Sequence, residues 1–374
     1  MVVAGLLLVK VIWVAWACRD IGSADEEKDE LMERRNFLVG KVMVEPVKLL
    51  SEMPSGIGLQ FQGEWAIYSC SMLAEAMANM ESLYPETKAT AITTIDSLIR
   101  IVKSPEIRLY DHMRWHEDPL ETLDGDKSHI SYLSHLAWMT GNYRRCGGDG
   151  KYDRLHDSLC ETMNRRILQS PLMNLPTYPG EPVYVPDMLV AIVALNDYAR
   201  FSDGKYASTV NDWVQRAKTE WIDDETGLLV SVLDDGGKIE AAVKGSYSAL
   251  NCFYLTKIDA GFAKQQYDLL KKYFKQSFPA TGIKEYHDSS CLFGMDADAG
   301  PVIMNLSPSG TAFAIGAATF FGDNYFRRGL LRTAEIAGHT VGWGDSRHYL
   351  LADLAIVGEA ITLAMRTNHN STHI

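Results

Sequence analysis

A histidine and several carboxyl groups cluster in two segments near the middle of this sequence. Asp118-Pro119 is followed by Lys127-Ser128-His129, which opens an apolar run ending at Met139. Glu181 to Asp187 forms a second polar stretch before another apolar segment. Histidine and carboxyl side chains are the usual proton donors and acceptors of enzymes. The two segments therefore predict a buried pocket between helices that transfers protons without a metal or an organic cofactor.

Three side chains are the candidate catalytic groups, namely His129, Asp187 and Glu64. Burial would raise the pKa of a carboxyl group and make it an acid near neutral pH, and His129 could serve as acid or base. Each group also has a purely structural interpretation. Asp187 is placed to be a helix N-cap, Glu64 to be a first-turn carboxylate favoured by the helix dipole, and His129 to be a hydrogen-bonded histidine at a helix start.

The predicted substrate-binding residues are mostly aromatic: Trp65, Tyr68, Tyr178, Tyr184 and Tyr247, with Asp118 and Asp298 in loops. Aromatic rings can shape an apolar pocket and stabilise a developing cation through their faces. The alternative is that the rings belong to the helical core and that the two aspartates make turns.

The composition is that of a folded chain with a large core, since 47% of its 374 residues are apolar and 22% are charged. No linker-like stretch divides it, so residues 36–374 are predicted to form one domain after an apolar segment and charged tether at 1–35. The net charge is −12 and no Lys/Arg-rich patch occurs, which argues against a nucleic-acid partner. The sequence leaves open whether the protein forms a homo-oligomer.

The first 18 residues are almost wholly apolar, interrupted only by Lys10. This segment is shorter than the roughly 20 residues of a usual membrane-spanning helix. It is interpreted as a weak membrane anchor, a signal-like segment or a helix packed on the domain. The expected location is accordingly cytoplasmic or membrane-associated.

No metal or cofactor is predicted from the motifs of the chain. The six cysteines include no Cys-x-x-Cys pair, and the stretch that contains His112 and His116 is predicted to be loop-like because Pro119 and Asp124-Gly125 follow it. Gly-x-Gly-x-x-Gly, Walker and Gly-x-Ser-x-Gly motifs are absent from the sequence.

Helical periodicity dominates the chain, with apolar residues spaced three and four apart in about twelve segments. Sequential helical hairpins in this number suit an all-α fold, an (α/α)6 toroid of six inner and six outer helices around a central cavity. A helical-repeat solenoid is the alternative, but no fixed period of matching residues supports it. Short β-hairpins are expected in loops, chiefly Leu228–Leu233 with Lys238–Ala242.

Four short motifs occur in the order found in one known family. They are Asp118-Pro119 before Lys127-Ser128-His129, Glu181-Pro182 before Asp187, Trp221 to Leu228 before the predicted hairpin, and Met295 to Gly300. From Asp118 to about Asp323, this order and spacing resemble the bacterial linalool dehydratase-isomerase family. The resemblance implies an (α/α)6 barrel that removes water from, or isomerises, a monoterpene alcohol without a cofactor.

The resemblance also has departures within the pocket. His129 corresponds to a pocket histidine of the family, whereas Tyr178 and Asp187 stand where the family has two cysteines, and Glu64 or Trp65 falls near its pocket aromatic. A carboxylate in place of a thiol keeps proton transfer but changes pKa and geometry. The resemblance therefore implies the fold but not the linalool reaction.

Three activities fit this interpretation. The first is a cofactor-independent lyase or isomerase that acts by acid/base chemistry on a hydrophobic terpenoid or related secondary metabolite. The second is a cyclase, including a pericyclic enzyme of the Diels-Alder type, that uses the same pocket. The third is a sugar-active α/α-barrel hydrolase or epimerase, which predicts a polar pocket with opposed carboxylates about 5–10 Å apart. A mainly aliphatic and aromatic cavity would count against the third.

Overall fold

The computed structural model describes residues 2–19, 21–22, 24–53, 60–288, 291–296 and 299–370. Helices make up most of this part of the chain. They are α1 (Val2–Ala17), α2 (Ala24–Val42), α3 (Pro46–Ser51), α4 (Gln60–Leu83), α5 (Lys88–Val102), α6 (Pro105–Trp115), α7 (Ile130–Arg145), α8 (Asp153–Gln169), α9 (Val185–Phe201), α10 (Ala207–Glu220), α11 (Gly245–Leu255), α12 (Ala260–Phe274), α13 (Pro308–Phe320), α14 (Asn324–Gly338) and α15 (Ile356–Arg366). Two 3₁₀ turns span Pro85–Thr87 and Leu350–Asp353.

Six helices form a closed inner ring: α4, α7, α9, α11, α13 and α15. Each packs against the next in this order, and α15 packs against α4. The side chains of these helices are apolar or small on nearly every face, because the helices are covered on all sides by other parts of the protein. In α7, for example, every residue from Ile130 to Tyr143 is buried. Gly316 allows close packing in the ring, since a Cβ there would lie 2.4 Å from Sδ of Met365 and 2.8 Å from a ring carbon of Phe253.

The outer layer consists mainly of helices with one apolar face. α8 packs on α7 and α9, α10 on α9, α12 on α11, and α14 on α13, while α5 and α6 cover α4. In α12 the buried residues recur every three or four positions, from Phe262 through Gln266 and Leu270 to Phe274. This arrangement of one helical ring around another confirms the predicted all-α (α/α)6 barrel.

Helix α2 completes the outer layer, because it packs on both α15 and α4 where the ring closes. Three of its charged residues, Glu27, Glu30 and Arg34, are buried and not solvated as in a tether. Arg366 of α15 binds Glu27 at 2.8 Å and Glu30 at 2.9 Å. The expected boundary after residue 35 falls inside this helix, so the barrel includes residues that the sequence assigned to the tether.

The described strands form four short antiparallel pairs. They are β1 (Val183–Tyr184) with β2 (Val232–Leu233), β3 (Lys275–Gln276) with β4 (Gly282–Ile283), β5 (Phe293–Asp296) with β6 (Gly300–Ile303), and β7 (Thr340–Trp343) with β8 (Ser346–Tyr349). The predicted hairpin is corrected here. β2 pairs with β1 from before α9, and the expected partner at 238–242 contributes only a bridge between Ile239 and Leu233.

Helix α1 packs on α14 at the outside of the barrel. No helix within the described ranges is both long and apolar enough to cross a membrane.

Candidate functional site

A cavity of about 980 Å³ lies within the ring and reaches the surface beside α14. Aliphatic and aromatic side chains make up most of its wall, which receives residues from all six inner helices. Most of the predicted site residues line it: Glu64, Trp65, Tyr68, Tyr178, Tyr184, Asp187 and Tyr247. Residues far apart in sequence thus share one apolar chamber that contains a few protonable groups, the usual composition of a small-molecule site.

Glu64 and Tyr178 form one polar pair in this wall. Glu64 lies near the start of α4, and the Tyr178 hydroxyl donates a hydrogen bond of 2.9 Å to its Oε2. Burial, with a further contribution from the Glu64 carboxylate, raises the pKa of Tyr178 well above its usual value. Tyr178 therefore remains a neutral hydrogen-bond donor. Arg114 covers its ring at 4.4 Å and binds Glu181 at 2.8 Å, which fixes the tyrosine from the other side.

Asp187 and Thr177 form a second polar pair. Asp187 lies in the first turn of α9, and its Oδ2 accepts a hydrogen bond of 2.5 Å from Thr177 Oγ1. The N-cap position of this helix is Tyr184, so the interpretation of Asp187 as the N-cap is wrong. Since Thr177 and Tyr178 are consecutive, one short segment holds carboxyl groups from two inner helices.

His135 is a cavity residue that the sequence reasoning missed. It lies on α7, its Nδ1 is 2.7 Å from Ser71 Oγ, and the Tyr68 ring meets it edge-on at 5.3 Å. Burial lowers the pKa of His135 to about 3, so the imidazole is neutral at physiological pH. The available signal was helical spacing: Ser131, which also lines the cavity, is four residues earlier on the same face of α7.

His129 does not line the cavity, which corrects its predicted position. It is fully buried behind the wall at the N-cap of α7, with Nδ1 2.5 Å from Asp111 Oδ1 and Nε2 3.2 Å from Glu117 Oε1. Its φ of 49° is left-handed, which turns the chain into the helix and points the ring toward these carboxylates. Ser131, two residues later, lines the cavity instead.

Asp118 also lies away from the cavity wall. Its Oδ2 is 2.7 Å from Arg108 Nε, and its Oδ1 accepts a hydrogen bond of 2.9 Å from the Leu120 amide. These contacts identify a turn-forming aspartate held by an arginine. Asp298 lies outside the described residues.

The chain matches no protein-family model and no curated protein. It is similar in structure to a solved unsaturated glucuronyl hydrolase specific for heparin, with a TM-score of 0.54 and 11% sequence identity. The match covers 91% of this chain and 97% of that chain. At this identity the likeness shows a shared fold alone.

Proposed function

We propose that the central cavity is the active site of a cofactor-independent lyase or isomerase for a hydrophobic terpenoid or related secondary metabolite. The supporting observation is the pairing of two carboxyl groups with two adjacent hydroxyl donors in a mainly aliphatic and aromatic chamber. Tyr178 binds Glu64 and Thr177 binds Asp187. The sequence motifs that resemble linalool dehydratase-isomerases first suggested this substrate class, although the resemblance does not carry the linalool reaction over to this chain.

Two carboxyl groups can supply both proton steps of an elimination. One acts as the acid and protonates the substrate hydroxyl, so that the carbon–oxygen bond breaks and water leaves. The other, as carboxylate, accepts a proton from the neighbouring carbon, and the electron pair of that bond forms the alkene. One proton is given and one is taken, so no redox partner is needed. Each positioned group contributes roughly 10²–10⁴-fold to the rate.

The aromatic side chains would stabilise the positive charge that develops as the hydroxyl leaves. Tyr68, Tyr184 and Tyr247 line the chamber together with Trp65. The face of an aromatic ring carries negative electrostatic potential and attracts a cation within about 6 Å. The same surroundings support a cyclase, in which the chamber folds a polyene and a full acid/base pair is not required.

The sugar-active alternative is favoured by the fold shared with the glucuronyl hydrolase. The wall composition counts against it, because a sugar needs many polar partners. The charged residues of the wall also argue against a heparin-like substrate. The described lining contains one arginine, Arg114, and four carboxyl groups, those of Glu64, Glu181, Asp187 and Glu359. Arg114 already pairs with Glu181, and Glu359 pairs with Arg34, so the wall offers a polyanion little complementary charge.

Metabolite profiling of a host that lacks the gene tests the substrate class, because the accumulating precursor should be apolar and not a sugar. The purified protein is then incubated with that precursor deuterated at the carbon next to its hydroxyl group. Loss of water from the molecule together with loss of this deuterium to the solvent supports the elimination, whereas a pericyclic cyclase keeps every carbon-bound label.

Asp187→Asn should lower turnover by roughly 10²-fold or more in this assay. The control is Asp118→Asn, since Asp118 lies away from the cavity. Unchanged turnover in a Glu64→Gln/Asp187→Asn double variant would overturn the site assignment.

A further inference from the structure

Helix α1 is fixed to the barrel by one face and presents an apolar face to the outside. On the fixed face, Lys10 Nζ donates to the Glu335 carbonyl at 3.1 Å and Trp13 Nε1 donates to the Glu335 carboxylate at 2.8 Å. Trp13 also stacks on His339 at 4.8 Å. The outer face carries large apolar side chains that are 45% to 64% exposed: Leu8, Val9, Val11, Ile12 and Trp16.

This apolar face lies beside the opening of the central cavity. Glu335 and His339, which hold α1, flank residues of α14 that line the cavity, including Ile336 and Ala337. The lining side chains that reach the surface are apolar as well: Pro279, Pro301, Ile303, Met304, Ile336, Ala337 and Leu351. The cavity therefore opens onto an apolar surface and not a polar one.

Basic side chains border the same area, in a chain whose net charge is −12. Tyr325, Arg328, Arg332 and Ile336 follow one another at helical spacing on the exposed side of α14. They line a groove of about 460 Å³ that shares Thr333 and Ile336 with the cavity wall. Arg328 also donates to the Ile21 carbonyl at 2.9 Å, which places this basic edge next to the end of α1.

We infer that this surface binds an anionic phospholipid bilayer. The docking face is defined as Leu8, Val9, Ile12 and Trp16 of α1, the cavity rim at Ile303, Met304, Ile336 and Leu351, and Arg328 with Arg332. Aliphatic side chains and a tryptophan enter the headgroup boundary, while arginines pair with anionic headgroups. In a symmetric dimer through this face Arg328 and Arg332 would meet the same arginines of the other copy, so charge complementarity favours an anionic lipid over a second copy. Uptake of an apolar substrate directly from the bilayer would follow, and that step rests on the proposed function.

Vesicle flotation of the full-length protein tests this inference, with phosphatidylcholine vesicles that contain or lack phosphatidylglycerol. The protein should float with the anionic vesicles and be released by salt. Ile12→Asp and Arg328→Glu/Arg332→Glu should each weaken binding about tenfold or more. The matched controls are Leu168→Asp, an exposed leucine of α8, and Arg154→Glu/Lys238→Glu, which changes the net charge equally.

Circular dichroism identifies variants that fail to fold, and the arginine pair tests a part of the docking face that lies outside α1. Absence of flotation, or equal flotation of test and control variants, overturns the inference. Sedimentation equilibrium showing a dimer that Ile12→Asp dissociates, without vesicle binding, would also overturn it and assign the face to a second copy. No substrate is present in these assays, so their outcome is separate from that of the catalytic proposal.

Discussion

The Tyr178 hydroxyl donates to Glu64 across 114 positions of sequence, and the residue before it, Thr177, donates to Asp187. The segment between α8 and α9 thereby holds carboxyl groups of α4 and α9 in one cavity. Because Tyr178 keeps its proton, its hydrogen bond orients Glu64 at any pH near neutrality.

Glu64→Gln should lower kcat by roughly 10²-fold or more, because the amide cannot transfer a proton as the carboxyl group does. Tyr178→Phe should lower kcat less, because it removes only the orienting hydrogen bond. If Tyr178 acts through Glu64, the double variant should be no slower than Glu64→Gln. Steady-state kinetics of the four proteins measures this, and Tyr273→Phe on α12 is the control. Additive losses would show that the two residues act separately.

His129→Asn should affect stability more than catalysis. Asparagine tolerates the left-handed φ of 49°, so the backbone is kept while the ring contacts to Asp111 and Glu117 are lost. A buried carboxyl group without its partner costs about 1–3 kcal/mol, which urea unfolding should detect. We expect kcat to change less than about tenfold, in contrast to Asp187→Asn. A large loss of kcat with unchanged stability would restore His129 as a catalytic group.

His135 should remain neutral throughout the physiological range, because burial lowers its pKa to about 3. Nitrogen NMR of the imidazole rings between pH 8 and pH 5 measures this directly, and His135→Gln identifies the signal by its loss. The expected spectrum shows a neutral ring at every pH. A midpoint within this interval would mean that the cavity is wetter than its lining indicates.

The barrel was predictable from sequence because helix formation leaves local signals. The outer segments have an apolar face at helical spacing, and the inner segments are long apolar runs bounded by turn residues. Seven of the ten predicted site residues line the cavity, among them Tyr178 and Asp187, whereas most of the other lining residues were not singled out from the sequence. The position of His129 could not be predicted from the sequence. It depends on the left-handed backbone of His129 itself, which turns this side chain away from the cavity and leaves Ser131 to line it.

Contacts between distant elements explain the other differences. The charged residues at the start of α2 were predicted to form a solvated tether because their partners cannot be recognised from the sequence. These partners, Glu359 and Arg366, lie more than 300 positions later. The strand at Val232–Leu233 pairs over both residues with Val183–Tyr184, whereas the adjacent segment contributes only the bridge between Ile239 and Leu233. Local patterns contain neither kind of information.

Glu75 should make the fold acid-sensitive. Burial alone would raise its pKa, but Arg145 and Lys257 outweigh that effect and lower it from 4.5 to about 2. The native state then binds fewer protons than the unfolded state, so this stabilisation is present above pH 4.5 and lost as the pH falls toward 2.

The contribution at neutral pH is about 3 kcal/mol from that shift. Glu75→Gln should lose this amount in urea unfolding at pH 7 and flatten the dependence of stability on pH between 4.5 and 2. The exposed Glu240→Gln should change neither quantity. An unchanged pH dependence in Glu75→Gln would contradict the assignment.

Arg366→Met should destabilise the barrel by about 3–5 kcal/mol, because it removes one cation from a buried cluster and leaves Glu27 and Glu30 undercompensated. Arg216→Met is the control, since its contact with Glu220 is 3.8 Å long, lies at the surface and is worth at most about 1 kcal/mol. Urea unfolding of both variants measures the difference.

The same contacts predict that a chain beginning at residue 36 will not fold, because it lacks the half of α2 that carries Glu27, Glu30 and Arg34. A cooperatively folded protein from that truncation would return residues 24–35 to the role of a tether.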